Sequence, residues 1–249
     1  MPSYLVTGSN RGLGLAMVKE LLKDPNNFVI GTARDPAQCK PLEQLTTEYP
    51  SNRFATVALD LLKRRSVDEA AEGAAILLPN GLDYLVSNAA VCHQNITPFD
   101  QIDVDILEEE LVVNTAAPLY LLQKFLSLIR RGGERKIMLV SSVLGSLDMA
   151  PMFVGCSDSY SLTKAGLNML GRKWGELLKK EGITVVVVHP GWIDTDMGGH
   201  IEDWVAQNAP EIRKLSPAES AEGCLNMFRV AKLEAAVEYY AWDGTKLPW

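Results

Sequence analysis

Cysteine, histidine and long apolar runs are scarce in this chain of 249 residues. Its four cysteines lie far apart, no two of its three histidines have the spacing of metal ligands on a helix, and no Cys/His cluster of zinc type is present, so we expect neither a disulfide framework nor a metal centre. The longest apolar stretches, such as residues 183–188, are far shorter than the ~20 residues of a membrane span. A formal net charge of −7 disfavours nucleic acid as a partner.

No export signal is visible at the start of the sequence. A strand-like apolar run begins by Tyr4, which leaves no space for the charged and apolar regions of a signal peptide. We therefore expect a cytoplasmic protein without a membrane partner. With 47% hydrophobic residues the chain can bury a large core, and α/β sheets of this length commonly form one domain. We expect a single domain over residues 1–249.

Short apolar runs alternate along the chain with longer segments of helical periodicity. Several of the runs are apolar on both faces, as buried parallel strands are, and the segments between them are long enough for crossover helices. The pattern predicts an α/β fold, a doubly wound sheet of about seven parallel strands with helices on both faces. The predicted strands lie near residues 4–6, 28–30, 54–59, 82–86, 136–140, 183–188 and 236–242.

Four segments show clear helical periodicity: residues 14–23, 107–130, 161–180 and 218–231. Pro118 interrupts the second of these segments. Because proline removes a hydrogen-bond donor and crowds the preceding turn, we predict two helices or one kinked helix there, with the break between Asn114 and Pro118.

A glycine-rich segment joins the first predicted strand to the first predicted helix. Glycine permits a tight turn and a close backbone approach, while the start of a helix offers free N–H groups and a partial positive charge. This context predicts a loop that binds the phosphates of a dinucleotide, although an ordinary strand-to-helix turn is the alternative. The residues of this predicted cofactor loop are Gly8, Ser9, Asn10, Arg11, Gly12, Leu13 and Gly14.

Tyr160 and Lys164 are four positions apart and therefore share one face of a predicted helix. A nearby ammonium favours the phenolate form of tyrosine, which brings the phenol toward useful acid–base chemistry. The pair thus indicates that Tyr160 gives a proton to a carbonyl oxygen during reduction. Such pairs also occur by chance, so other motifs have to support this interpretation.

Those motifs exist, and with them the chain resembles the short-chain dehydrogenase/reductase family over essentially its whole length. Four motifs occur in the order typical of the family: the glycine spacing, the Asn88-Ala89-Ala90 turn, a serine pair ending at Ser142, and a Pro190-Gly191 segment. Ala90 departs from the family, which usually has glycine there. Within the family the chain looks closest to sniffer-like carbonyl reductases, which implies a Rossmann-type catalytic domain that reduces aldehydes, ketones or quinones with NADPH.

The resemblance also implies a role for each catalytic residue. Ser142 would donate a hydrogen bond to the substrate oxygen, and Lys164 would lower the pKa of Tyr160 and bind the nicotinamide ribose. Asn114 would shape the helix bend and hold a water that feeds protons toward Lys164. The other cofactor contacts implied are Asp60 and Leu61 beside the adenine, Asn88, Ala89 and Ala90 after the fourth strand, and Pro190, Gly191, Ile193 and Thr195 after the sixth.

The end of the second strand predicts which dinucleotide binds. A carboxylate at this point would bind a free ribose 2′-hydroxyl, but the chain has Arg34 there. A guanidinium pairs well with a 2′-phosphate, and Arg11 could close over it from the glycine loop. We therefore predict NADP(H) rather than NAD(H). The alternative is that Asp35 is the ribose carboxylate and that both arginines face solvent.

Two segments are predicted to shape the substrate pocket. Ser142 and Tyr160 are 18 positions apart, more than is usual in the family, so residues 149–157 are expected to form an inserted loop whose apolar residues 152–154 border the pocket. Residues 197–215 are expected to form a lid with an apolar inner side, which favours an apolar, cyclic or aromatic carbonyl. Alternatively, these side chains cover the core or a subunit contact. The predicted substrate contacts are Ser142, Leu144, Phe153, Tyr160, Trp192, Met197 and Trp204.

The resemblance also implies self-association, because the helices near residues 107–130 and 161–180 form subunit contacts in the family. We therefore expect a homodimer or homotetramer that binds a small-molecule substrate. Two other functions are compatible with the same motifs: an NADP(H)-binding sensor or scaffold without turnover, and a non-redox cyclase or isomerase. Consumption of NADPH separates the three.

Overall fold

A computed structural model describes residues 1–233 and 236–249, and in these ranges seven parallel strands form one sheet. The order across the sheet is β3-β2-β1-β4-β5-β6-β7, so the chain starts in the middle, runs to one edge and then crosses to the other half. The predicted doubly wound parallel sheet is thus confirmed. The strands are β1 (Ser3–Val6), β2 (Phe28–Ala33), β3 (Phe54–Ala58), β4 (Tyr84–Ser87), β5 (Lys136–Val140), β6 (Thr184–His189) and β7 (Tyr239–Ala241).

Helices cover both faces of the sheet, which explains why β1, β2 and β4 are buried along their whole length. Leu5 and Phe125 belong to the apolar core on one face, with α3, α5 and α6, whereas Val6 and Met17 belong to the core on the other face, with α1, α2 and α9. The helices are α1 (Gly12–Leu22), α2 (Lys40–Glu48), α3 (Arg64–Leu77), α4 (Val104–Leu111), α5 (Ala117–Arg131), α6 (Asp158–Lys179), α7 (Asp196–Gly199), α8 (Glu202–Asn208) and α9 (Pro217–Val230).

The helix around Pro118 differs from the prediction. A wide π-helical turn covers Val112–Ala116 and connects α4 directly to α5, so the distortion starts before Asn114 and the helix is continuous. Pro118 has no N–H to give to the carbonyl of Asn114 four residues earlier, and regular α-helical bonding therefore cannot continue through this point. By length and composition Val104–Arg131 could span a membrane, but 50% of its most apolar window is buried inside the fold, as in a core helix.

The carboxyl ends of the strands carry the residues that the sequence singles out. Val6 pairs with both Gly31 and Val86, so β1, β2 and β4 end side by side. Strand order reverses between β1 and β4, and in open parallel sheets ligands bind in the crevice at such a switch point. The glycine loop, the Asn88 turn and the Ser142 loop all open onto this edge.

Candidate active site

The glycine loop makes a turn that only glycine can follow at two positions. Gly8 and Gly12 have φ angles of +69° and +55°, in the left-handed region that side chains disfavour. Gly14 packs so closely that a Cβ there would lie 2.2 Å from the carbonyl oxygen of Gly8. The start of α1 is therefore pressed onto the turn that precedes it.

Buried polar side chains fix this loop to the neighbouring strands. The hydroxyl of Thr7 accepts hydrogen bonds from the backbone N–H groups of Asn88 (2.9 Å) and Ala89 (3.0 Å), and the Asn88 amide donates to the Thr7 carbonyl (2.9 Å). The Ser9 backbone N–H donates to the Thr32 carbonyl (2.8 Å). These bonds join the loops that follow β1, β2 and β4 into one rigid edge.

The start of α1 fits a phosphate group. Arg11 occupies the N-cap position, yet its side chain makes no capping hydrogen bond to the first turn. The first N–H groups of α1 thus keep donor capacity that a helix end must otherwise satisfy with side chains or water. Leu13 is buried, whereas Asn10 and Arg11 are exposed at the mouth of the crevice. The predicted phosphate loop therefore has the shape and the donor groups that a pyrophosphate requires.

The charged residues after β2 bear on the choice between NADP(H) and NAD(H). Arg34 directly follows β2 and is exposed. Asp35 instead accepts hydrogen bonds from the Gln38 backbone N–H (3.3 Å) and side-chain amide (2.6 Å), which caps the short turn at Pro36–Gln38. Arg11, expected beside the 2′-phosphate, forms an ion pair with Asp196 of α7. Arg34 is thus the cation at this strand end whose side chain is open to a ligand.

Asp60 and Leu61 lie just beyond the end of β3, next to the Arg34 end of the crevice. Burial opposes the charge of Asp60, but a hydrogen bond from Lys63 (2.9 Å), the Leu62 backbone N–H and the charge of Arg34 together lower its pKa. Asp60 is therefore an ionised acceptor, which suits the predicted contact with the adenine.

Tyr160 and Lys164 lie on the buried face of α6, 9% and 2% exposed respectively. The Lys164 Nζ is 5.4 Å from the centre of the Tyr160 ring and donates a hydrogen bond to the Val140 carbonyl (2.8 Å). Burial lowers the pKa of Lys164 to about 8. Burial also raises the pKa of Tyr160, and the expectation that Lys164 lowers it stays a prediction.

The Ser142 loop rests directly on α6. A Cβ on Gly145 would lie 2.7 Å from the carbonyl carbon of Lys164, so only glycine allows this approach. Asn168 accepts a hydrogen bond from the Ser141 hydroxyl (2.5 Å) and donates one to the Gly145 carbonyl (3.0 Å). The Ser142 hydroxyl accepts from the Leu144 backbone N–H (3.3 Å), which leaves its own proton for a substrate oxygen.

Asn168 is a residue that the sequence reasoning missed. It lies four positions after Lys164, as Lys164 lies four after Tyr160, so helical periodicity places all three on one face of α6. Extending the Tyr160 to Lys164 spacing by one more turn would have found it. Its amide holds the serine loop against the helix, which makes it part of the support for Ser142.

Asn114 joins the loop after β4 to α6. Its side chain is 1% exposed, accepts from the Val91 backbone N–H (2.9 Å), and donates to the Val91 carbonyl (2.8 Å) and the Thr163 hydroxyl (3.1 Å). Ala90, directly before Val91, is half-buried on this edge. Asn114 therefore clamps the loop to the helix, and its predicted role toward a water stays a prediction.

The segment after β6 meets the glycine loop from the other side of the crevice. Gly191 has a φ of +84°, and Ile193 pairs with Leu215. The Pro190 carbonyl accepts a hydrogen bond from the Ser220 hydroxyl (2.6 Å). Thr195 caps α7 by accepting from the Gly198 backbone N–H (3.2 Å) and lies against Gly12, where a Cβ would be 3.3 Å from its methyl group. The predicted cofactor residues thus converge from both sides.

The predicted lid and inserted loop touch each other above this site. Phe153 of the loop stacks on Trp204 of α8, with 6.0 Å between ring centres. The Trp192 indole donates to the Gly198 carbonyl (2.8 Å), and Met197 is half-buried. Met152 and Val154 are exposed, whereas Phe153 packs on Trp204, so the expectation that residues 152–154 border the pocket stays a prediction.

Comparisons with known proteins agree with this arrangement. Residues 3–206 match the family model of short chain dehydrogenases. The NADPH-bound carbonyl reductase from chicken fatty liver superposes with a TM-score of 0.89 at 31% identity, covering 100% of this chain and 99% of that chain. Carbonyl reductase Sniffer of D. melanogaster superposes with a TM-score of 0.86 at 27% identity, with 100% of both chains covered. An uncharacterized oxidoreductase of Schizosaccharomyces pombe is 30% identical over 251 residues, which cover 98% of this chain and 97% of that protein.

Proposed function

The chain belongs to the short-chain dehydrogenase family, and from that premise we propose that it is an NADPH-dependent carbonyl reductase. Its substrate in this proposal is a small, apolar or aromatic ketone, aldehyde or quinone, and the reverse oxidation of the alcohol uses the same groups. The observation that carries the proposal is the meeting of Tyr160, Lys164 and the Ser142 loop on α6, beside the glycine loop.

Different residues of the crevice bind the cofactor and react with the substrate in this proposal. The start of α1 would bind the pyrophosphate of NADPH and Arg34 its 2′-phosphate, and the bound cofactor would supply a hydride. Ser142 donates a hydrogen bond to the carbonyl oxygen of the substrate, and Tyr160 gives that oxygen a proton as negative charge develops there. The raised pKa of Tyr160 keeps the phenol protonated before the reaction. Lys164, 5.4 Å from the ring, then stabilises the phenolate that remains.

A turnover assay tests this function. We expect wild-type protein to oxidise NADPH when aldehydes, cyclic ketones or quinones are added, and Tyr160→Phe to lose at least ~10²-fold in rate while still binding NADPH. Tyr49→Phe, on the ring that contacts Arg53 at the other end of β2 and β3, is the matched control and should keep full activity. Tight binding without turnover over the whole panel would instead favour a sensor, and conversion of a substrate without net NADPH consumption would favour a cyclase or isomerase.

Support for NADP(H) over NAD(H) comes from Arg34, whose position suits a phosphate, and from Asp35, whose carboxylate is occupied by Gln38. We expect Arg34→Asp combined with Arg11→Ala to reverse the ratio of kcat/KM between NADPH and NADH. Arg65→Ala, which removes an exposed arginine paired with Glu69 on α3, should leave that ratio unchanged. An unchanged ratio in the double variant would contradict the placement of the 2′-phosphate.

A further inference from the structure

The loop that carries Ser142 is supported from two sides. Ser142 precedes one tight helical turn, Val143–Gly145, and Asn168 of α6 donates a hydrogen bond to the carbonyl at the end of that turn (3.0 Å). Ser146 directly follows the turn and is 1% exposed. Its side chain binds a second support, the segment after β7 (residues 247–249). The position of Ser142 therefore depends on a part of the chain about a hundred residues further on.

The segment after β7 binds the loop by hydrogen bonds at two places. The Ser146 hydroxyl donates to the Pro248 carbonyl (2.8 Å) and accepts from the Met149 backbone N–H (3.2 Å). The Asp148 backbone N–H donates to the backbone oxygen of Trp249 (3.1 Å). The segment after β7 thus holds the end of the serine loop together with the start of the inserted loop.

Trp249 is itself anchored to the sheet and to α6. Its ring stacks on that of Tyr239 in β7, with 5.6 Å between ring centres, and Tyr239 is fully buried. The guanidinium carbon of Arg172 on α6 lies 4.9 Å from the centre of the Trp249 ring. The Leu247 backbone N–H also donates to the Tyr239 carbonyl (2.8 Å). Aromatic stacking and a cation over the ring have preferred geometries, so they fix the indole more closely than apolar burial alone.

Arg172 continues a row of side chains along α6. Tyr160, Lys164, Asn168 and Arg172 are each four positions apart, so successive members are neighbours on the helix surface. Tyr160 and Lys164 are the proposed reacting pair, Asn168 holds the turn after Ser142, and Arg172 contacts the residue that binds the far end of the loop. One helix therefore fixes the proposed proton donor and both supports of the serine loop.

We infer that Trp249 and Ser146 are positioning residues that hold the Ser142 hydroxyl where it can donate to the same carbonyl oxygen as Tyr160. The inference rests on the proposed function, in which both hydroxyls donate to that oxygen. Two donors meet one atom only if the serine loop is fixed relative to α6, and a misplacement of about 1 Å can cost as much as ~10²-fold in rate. The segment after β7 thus acts on the reaction through Ser142.

Single-turnover kinetics of the intact protein test the inference. Trp249→Ala removes the stack on Tyr239 and the contact with Arg172, so we expect the rate of NADPH oxidation by a carbonyl to fall about tenfold while the Kd of NADPH stays unchanged. Ser146→Ala removes both side-chain hydrogen bonds and should lower the rate by a similar factor. Trp249→Phe keeps a ring for the stack and should remain within about 2-fold of wild type.

A double variant shows whether Trp249 acts through Ser142. In Ser142→Ala the hydroxyl to be positioned is absent, so adding Trp249→Ala should lower the rate by less than about 2-fold. A tenfold loss in both backgrounds would instead indicate general damage and overturn the inference. Trp174→Ala is the matched control, because Trp174 of α6 packs against the same apolar core as Trp249, and it should keep the wild-type rate. If Trp249→Ala does not fold, Ser146→Ala takes its place in the same comparison.

A measurement that needs no turnover separates this inference from the proposed function. In Trp249→Ala, hydrogen exchange at the backbone N–H groups of Asp148 and Met149 should become faster, while exchange in β5 stays unchanged. Faster exchange in a protein that oxidises no NADPH would retain the support of the serine loop and reject the reductase. Unchanged exchange, or faster exchange with a wild-type rate of NADPH oxidation, would overturn the inference.

Discussion

The glycine loop and the lid face each other across the crevice, but different interactions hold them. The loop is fixed by hydrogen bonds between Thr7 and the Asn88 turn and between Ser9 and Thr32, and by contacts that leave no space for a side chain. The lid is held by the Phe153–Trp204 stack and by surface ion pairs such as those of Lys214. Exposed ion pairs contribute little to stability because water screens them. The cofactor side is therefore part of the fold itself, whereas the substrate side can change without disturbing the sheet.

The largest effect should come from crowding the glycine loop. In Gly14→Ala the new Cβ would lie 2.2 Å from the Gly8 carbonyl oxygen, which forces backbone atoms apart. We expect loss of NADPH binding, measured by fluorescence titration, together with a lower unfolding midpoint. Gly73→Ala in α3 is the control, since nothing lies within 4 Å of its Cβ, and it should stabilise the protein by up to about 1 kcal/mol. Normal NADPH affinity in Gly14→Ala would show that the loop is more adaptable than its packing implies.

Neutralising a carboxylate that backbone N–H groups bind should cost more stability than neutralising one in a surface ion pair, although both effects are smaller than that of Gly14→Ala. The Asp83 carboxylate accepts from the backbone N–H groups of Ser3 (2.8 Å), Gly133 (2.7 Å) and Glu134 (3.1 Å), whereas Asp194 is 72% exposed beside Lys214. We expect Asp83→Asn to lower the free energy of unfolding by about 1–2 kcal/mol at neutral pH, because water screens part of the interaction. Asp194→Asn should give no measurable change in urea titrations.

The pH dependence of the Asp83 effect has a definite sign. Burial opposes the charge, but the backbone donors at Ser3, Glu134 and Gly133 prevail and lower the pKa of Asp83 below its ordinary value of 3.8. The stabilisation is therefore complete above pH ~4 and is lost as the pH falls through the folded-state pKa. The difference between wild type and Asp83→Asn should shrink over that acidic range, and a constant difference would contradict this account.

The smallest effect should come from the lid. Phe153→Ala and Trp204→Ala each remove the stack that joins the inserted loop to α8, so each should raise KM for the carbonyl substrate by roughly 2- to 10-fold. KM for NADPH should not change, and the double variant should be no worse than either single one, because the contact is already lost. Val154→Ala, at a side chain 75% exposed, is the control. An equal rise in KM for NADPH would mean that lid and glycine loop are not independent.

The sheet and the catalytic residues could be predicted from the sequence because both follow from patterns among residues that are close together in the chain. Apolar runs revealed all seven strands, with β5 at its observed bounds, and the spacing of Tyr160 and Lys164 placed them on one helical face. The helices α2 and α3 were not assigned, because both are polar overall and bury few side chains: Leu42 and Leu45 in α2, and Val67, Ala70 and Ala74 in α3. A helix with only two or three buried side chains is hard to distinguish from a polar loop when one looks for apolar runs.

The sequence could not predict which group the Lys164 ammonium binds or how deeply Tyr160 is buried. The spacing of Tyr160 and Lys164 predicts that they attract each other. The Lys164 Nζ, however, donates a hydrogen bond to the Val140 carbonyl on β5, which is distant in sequence. Burial of Tyr160 likewise depends on elements far along the chain. The same holds for Phe153 and Trp204, whose contact joins two loops that no local pattern connects.

The order of the strands also has a consequence for synthesis on the ribosome. β1 to β4 form a contiguous half-sheet, so the cofactor loop can be assembled while the rest of the chain is still missing. From β4 onward each new strand adds to the same growing edge, in the order in which it is translated. Until β5 appears, the open edge of β4 presents unpaired backbone groups to other nascent chains, and the long helix from Val104 to Arg131 emerges in this interval. Because this apolar helix is translated before β5, it can cover the partly formed sheet before the nascent chain aggregates.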